Sequence, residues 1–171
     1  NDKVVLQQKL EYNATHDSLT ELYNRAFFKS KMDELNELDV PVAVIIADLD
    51  DLKRVNDQYG HHMGDQLICE AANCLKVVAD DTMTVARIGG DEFAVIIVTE
   101  DLLQVEQYIT IAQEKMQENQ QNSLFSPIQV SVGYKHSMSS YGVMKQLFND
   151  ADDKMYQNKK QKKQEVHSVL I

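Results

Sequence analysis

Residues 82–98 read TMTVARIGGDEFAVIIV. Two β-rich segments, about Thr82–Ile88 and Phe93–Val98, flank Gly89-Gly90-Asp91-Glu92. Branched and aromatic residues favour strands, and a glycine pair between two such runs predicts an antiparallel hairpin, with the glycines supplying the positive φ of a tight turn. Upstream, VAVIIA at 42–47 is a continuous apolar run that ends in Asp48-Leu49-Asp50, the pattern of a strand buried on both faces. Around these strands the periodicity turns helical. One helix is expected from about Gly64 to Ala79, where Leu67, Ile68, Ala71, Leu75 and Val78 recur every three or four residues. A polar, Gln-rich helix is expected over 101–120, and another over 143–160 on a stripe of Met144, Leu147, Phe148, Ala151 and Met155. Ile128–Tyr134 reads as a further strand entered through Pro127, and Glu165–Ile171 as a short edge strand. This order predicts an α+β fold, a mostly antiparallel sheet flanked by helices.

The 171 residues suit one domain, and 43% hydrophobic with 26% charged residues is a globular composition. With 17 basic against 27 acidic residues the formal charge is −10, which argues against nucleic acid as a partner. No apolar run approaches the roughly 18 residues that span a bilayer, and no signal peptide opens the chain. Cys69 and Cys74 are too few for a disulfide framework and are expected to stay reduced, as in a cytoplasmic domain. Residues 1–13, NDKVVLQQKLEYN, carry Val4, Val5, Leu6 and Leu10 among helix formers. We expect residues 1–16 to be the end of a signalling helix that enters a catalytic domain at 17–171. The start at Asn1 without Met fits a piece of a longer protein, for which membrane attachment stays open.

Carboxylates stand where the strands end. Asp48 closes the buried run, Asp50 follows on the same face, and Asp91 and Glu92 occupy the hairpin tip. If the first strand lies against the hairpin, Asp48 and Asp91 converge, and two carboxylates that close repel unless a cation lies between them. Oxygen ligands with open positions suit Mg²⁺, which takes one or two carboxylates and completes its shell with phosphate and water. Other nucleotide and metal devices fail on spacing. Leu52 and Lys53 stand where an EF-hand loop needs an oxygen ligand and glycine, and the chain has neither His-Glu-x-x-His nor Cys-x-x-Cys nor Gly-Lys-Ser/Thr.

Arg87-Ile88-Gly89-Gly90-Asp91-Glu92-Phe93 resembles the signature of the GGDEF-domain diguanylate cyclases. It is accompanied by Asp17-Ser18-Leu19-Thr20-Glu21-Leu22-Tyr23-Asn24-Arg25, similar to that family's D-x-L-T-x-L-x-N-R motif. Asp48-Leu49-Asp50, Lys53, Asn56-Asp57, Tyr59-Gly60-His61 and Gly64-Asp65 follow in the family's order and spacing, so the resemblance runs from about Asp17 to Lys163.

The resemblance implies a palm-like fold of the nucleotidyl cyclase, ferredoxin-like kind. It also implies condensation of two GTP into cyclic di-GMP and two pyrophosphates across a homodimer. The 3′-hydroxyl of one nucleotide would attack the α-phosphate of the other. Asp48 and Asp91 would bind Mg²⁺, or Mn²⁺, by carboxylate and Leu49 by its carbonyl, with Asp91 also accepting the 3′-hydroxyl proton and Glu92 beside it. Lys53 would stabilise phosphate charge. Asn56, His61 and Asp65 would form the nucleotide pocket. An amide with a carboxylate matches guanine's edge, and the Asp at 65 favours GTP over mixed purines. Gly89 and Gly90 would let backbone approach a phosphate.

Lys159 and Lys163 continue the apolar stripe beyond Met155 and are expected to face the domain, and the resemblance implies that they hold the GTP phosphates. Lys163 replaces the family's Arg, which keeps the charge but loses the bidentate fork and is expected to weaken GTP binding, and Lys162 stands where the family has Gly. Asp80 and Met83 occupy the positions of the family's inhibitory Arg-x-x-Asp, so no inhibitory product site is expected. An upstream sensory domain is the expected partner, together with GTP and a second copy. The alternative reading is a catalytically silent GTP- or effector-binding module that regulates an attached domain.

Overall fold

Successive side chains of an extended strand point to opposite faces of the sheet, so an all-apolar strand needs cover on both sides. The computed structural model, which describes residues 1–118 and 127–170, supplies that cover with helices above and below one sheet. Among the described residues the elements follow one another as α1 (Asp2–Thr15), α2 (Arg25–Asn36), β1 (Val42–Leu49), α3 (Leu52–Tyr59), α4 (His61–Val78), β2 (Met83–Arg87), β3 (Glu92–Val98), α5 (Leu102–Glu118), β4 (Val130–Ser137) and α6 (Met144–Val169). The sheet order is β2-β3-β1-β4 and every pairing is antiparallel. All eight residues of β1 are buried between β3 and β4.

Alternation along the strands splits the core in two. Ala43, Ile45, Ala47 and Leu49 face α4 and α5 through Leu67, Ile68, Leu75, Val105 and Met116. Val42, Val44 and Ile46 face α2 and α6 through Phe28, Leu35, Met144, Leu147, Ala151 and Met155. Gly133 of β4 allows the tightest approach: a Cβ there would lie 2.1 Å from the Ala151 carbonyl oxygen and 2.2 Å from the Met155 nitrogen, so α6 rests directly on β4. The four-stranded antiparallel sheet with flanking helices is the palm-like α+β arrangement expected above.

Several expectations change. The sequence reading contained neither α2 nor α3; α3 buries only Val55, too little to make a periodic pattern. Residues 165–169, expected in an edge strand, instead continue α6 to Val169 with its last turns exposed, and Ile171 lies outside the described residues. The hairpin forms, but neither Gly89 nor Gly90 has positive φ. The Ile88 and Gly89 amides both donate to the Glu92 carbonyl, at 3.0 and 3.3 Å, and this wider loop closes without a left-handed residue. A Cβ at Gly89 would meet Glu92 Oε2 at 3.0 Å and Glu92 Cβ at 3.3 Å, so the Glu92 side chain would have to give way to it. Residues 119–120 of the helix expected over 101–120 lie outside the described residues. The leading helix α1 buries none of its residues and exposes Val4, Val5, Leu6 and Leu10.

Candidate active site

Strand parity decides where each acid points. Val42, Val44 and Ile46 face α6, so Asp48 faces it too, and Glu92 is its partner across β3. Asp48 is 8% exposed. Lys159 of α6 reaches it, its Nζ donating to Oδ1 at 3.1 Å. Burial, opposed by that lysine and reinforced by the nearby Asp91 carboxylate, pushes the Asp48 carboxyl up to about 6. Burial also raises Glu92, helped by Asp152 and Asp91. For Lys159 burial works against the ammonium, but the hydrogen bond to Asp48 and the charges of Asp48, Asp91 and Asp50 outweigh it and raise its pKa.

The hairpin tip is tied to this spot by backbone. The Leu49 amide donates to the Asp91 carbonyl at 3.0 Å, so β1 ends against the turn. Arg87 holds the turn from outside: Nη2 donates to the Gly90 carbonyl at 2.9 Å, and Nη1 pairs with Asp17 at 3.2 Å. Burial would raise the Asp17 carboxyl, but hydrogen bonds from Thr20 and the charge of Arg87 bring it below its usual range. Arg25 Nη1 donates to the Ile88 carbonyl at 3.3 Å, and Asn24 caps α2 through the Phe27 amide. The opening motif is therefore a clamp on the hairpin turn. Asp17, Arg25 and Arg87 stand in the sequence motifs, and tertiary packing gives them this role.

Around α3 and α4 the remaining residues fall into two groups. Lys53 is exposed and lines an open cleft of about 560 Å³ with Asp50, Asp51, Arg54, Asp57 and Gln58. Asn56 lies in the last turn of α3, and the helices join through Gly60 at φ 93°. His61 and Asp65 are exposed in the first turns of α4. Asn56 Oδ1 is buried against Gly64 without a hydrogen-bond partner among the described residues. A buried acceptor left open in this way is rare and marks a place for a ligand donor.

The C-terminal lysines differ from expectation. Lys159 meets the acids, but Lys163 is exposed, and Lys162 turns inward to pair with Asp50 Oδ2 at 3.1 Å. Helix geometry explains the exchange. At 100° per residue a position seven beyond Met155 returns within about 20° of it, whereas eight beyond lies about 80° away.

Oxygen donors dominate the strand end. Asp48 and Asp91 are close enough for mutual repulsion to raise Asp48, and a divalent cation would relieve it. Among the described residues no three His, Cys, Asp or Glu side chains gather into a closed metal cage. Two carboxylates with the Leu49 carbonyl nearby fit a hard cation whose other ligands come from phosphate and water. No helix among the described residues is long and apolar enough to cross a membrane.

Comparison with known proteins bears on the same residues. The family description "Diguanylate cyclase, GGDEF domain" matches residues 14–165. The chain is 42% identical over 88 residues to the diguanylate cyclase VdcA of Vibrio cholerae, covering 52% of this chain and 26% of that protein. It is 30% identical over 150 residues to the cyclic di-GMP phosphodiesterase PdeB of Shewanella oneidensis, covering 86% of this chain and 18% of that one. The chain thus spans less than a third of the length of these relatives. In structure it resembles the coiled coil and GGDEF domain of DgcB from Caulobacter crescentus in complex with c-di-GMP. That match has TM-score 0.77 and 25% identity, over 93% of this chain and 87% of that one. The GGDEF domain of TpbB from Pseudomonas aeruginosa matches with TM-score 0.72 and 30% identity, over 85% and 89% of the two chains. Matched from Ala14 to Glu165 and folded on the same sheet, the chain belongs to the GGDEF-domain diguanylate cyclase family.

Proposed function

We propose that this domain is an active diguanylate cyclase that joins two GTP into cyclic di-GMP, each of two copies presenting its nucleotide to the other. The observation that carries the reading is the meeting of Asp48, Asp91 and Lys159 at the end of β1. Bound there by the Asp48 and Asp91 carboxylates and the Leu49 carbonyl, Mg²⁺ or Mn²⁺ would neutralise charge on the α-phosphate. The Asp91 carboxylate takes the proton of the attacking 3′-hydroxyl. A bond then forms from the 3′-oxygen to the α-phosphorus as the bond to pyrophosphate breaks, once for each nucleotide. Glu92 adds negative charge beside Asp91, and Lys53 and Lys159 offset charge on the phosphates. The first-turn amides of α3 have no side-chain cap and lie next to Asp50, a natural place for phosphate oxygens. Asn56 and Asp65 meet the guanine edge, His61 borders the base, and Gly89 and Gly90 keep the turn open to the nucleotide. Phosphate contact belongs to Lys159 ahead of the exposed Lys163. Residues 1–16 would carry the input of an upstream sensory domain into the domain at 17–171.

Turnover and GTP binding measured together test this reading. With Mg²⁺ and GTP, Asp91→Ala is expected to lower cyclic di-GMP formation by about 100-fold or more, while saturable GTP binding persists. A wild-type domain that binds GTP without converting it would instead be the silent regulatory module.

A further inference from the structure

Asp50 continues the face of β1 that bears Asp48, yet its surroundings are closed. Its amide donates to the Gln129 carbonyl at 3.1 Å. Its Oδ1 accepts from the Ser131 hydroxyl, and Ser131 is fully buried. Its Oδ2 accepts from Lys162 Nζ at 3.1 Å, and the same ammonium donates to the Val130 carbonyl. The Asp50 side chain is 15% exposed and that of Lys162 36%, so the pair is partly shielded from water. Three residues earlier on α6, Lys159 donates to Asp48 at Oδ1, whereas Asp50 has both of its oxygens taken. The strand end thus carries four acids, Asp48, Asp50, Asp91 and Glu92, against two α6 lysines that contact them.

We infer that Lys162 is a positioning residue, an internal counter-ion that withdraws Asp50 from the metal-ligand set and so limits the nucleotide-free domain to the Asp48–Asp91 pair. This rests on the reading of Asp48 and Asp91 as the metal pair. Both Asp50 oxygens are engaged by Ser131 and Lys162, so a cation could reach them only by displacing the ammonium. A cation that did so would be gripped by an extra carboxylate. Metal held that firmly without nucleotide hinders the exchange a phosphate-completed site needs. Lys162 also anchors α6 past Met155, the last residue of this helix that the core buries.

Mn²⁺ binding to the nucleotide-free domain, read by the loss of the free-ion EPR signal, tests the inference without turnover. Lys162→Met keeps the apolar stem and removes the charge. It is expected to tighten Mn²⁺ binding by about fivefold to tenfold through the freed carboxylate, whereas Lys162→Arg stays near wild type. Adding Asp50→Asn to Lys162→Met is expected to cancel the gain. Circular dichroism and the melting temperature confirm that each variant is folded. Unchanged Mn²⁺ affinity in folded Lys162→Met, or a gain that survives Asp50→Asn, overturns the inference and leaves the metal pair standing. Binding in Lys162→Met that ignores Asp48→Asn would place the ion elsewhere and overturn both readings.

Discussion

Asp48 is an acid held where the fold disfavours its charge. Its carboxyl titrates near 3.8 in an unfolded chain and at about 6 in the folded domain. Between those values the folded state binds more protons, so Asp48's contribution to stability is lost as pH rises through that window. Above it the ionised carboxylate costs about 2 to 3 kcal/mol in the absence of cation. Asp48→Asn should therefore melt at a higher temperature than wild type at pH 7.5 in chelator, with the gap closing by pH 4. Millimolar Mg²⁺ with GTP should raise the wild-type melting temperature by more than that of the variant, which keeps the nucleotide contacts but lacks the carboxylate for the ion. A variant less stable than wild type at pH 7.5 would contradict the strain assigned to Asp48. This convergence was legible in the sequence, because an acid that ends an unbroken apolar strand can point only along one of two faces. The clamp on the turn was not, since the Arg87–Asp17 pair spans 70 residues of chain and follows from tertiary packing alone.

Among the elements, α6 decides whether the site is assembled. It lies on β4 across Gly133, and a methyl group there would strike helix backbone that has no rotamer to give. Gly133→Ala is expected to cost about 3 kcal/mol by urea unfolding. It should also reduce turnover further than the stability loss explains, because α6 carries Lys159 away from Asp48 as it lifts. Full activity at saturating GTP in a folded Gly133→Ala would show that the contact is not needed. The sequence disclosed the elements that bury the most: β1, the hairpin and α4 have long apolar patterns. Helix α2 buries only Phe28 and Leu35, and α3 only Val55, so neither left a stripe to read. Beyond Met155 no residue of α6 is fully buried, but Lys162 reaches Asp50, a polar tie that hydropathy does not register.

At the scale of the molecule, one copy presents one strand-end site, and the proposed joining of two nucleotides calls for a second copy facing it. Helix α1 buries none of its residues and leaves Val4, Val5, Leu6 and Leu10 exposed. Asp80 has a local task, accepting from the Thr82 amide at 2.9 Å, and its negative charge there repels a phosphodiester. Added cyclic di-GMP is accordingly expected to leave the initial rate unchanged at concentrations well above those accumulated in the assay, and a rate that falls in proportion would refute the absence of an inhibitory site. The most direct test of the whole account is specific activity against protein concentration, with Mg²⁺, saturating GTP and chromatographic identification of product. The two-copy cyclase predicts cyclic di-GMP whose rate per molecule climbs with concentration before levelling off as dimers fill. A rate per molecule that is constant from the most dilute sample upward, or GTP consumed without cyclic di-GMP, would contradict it.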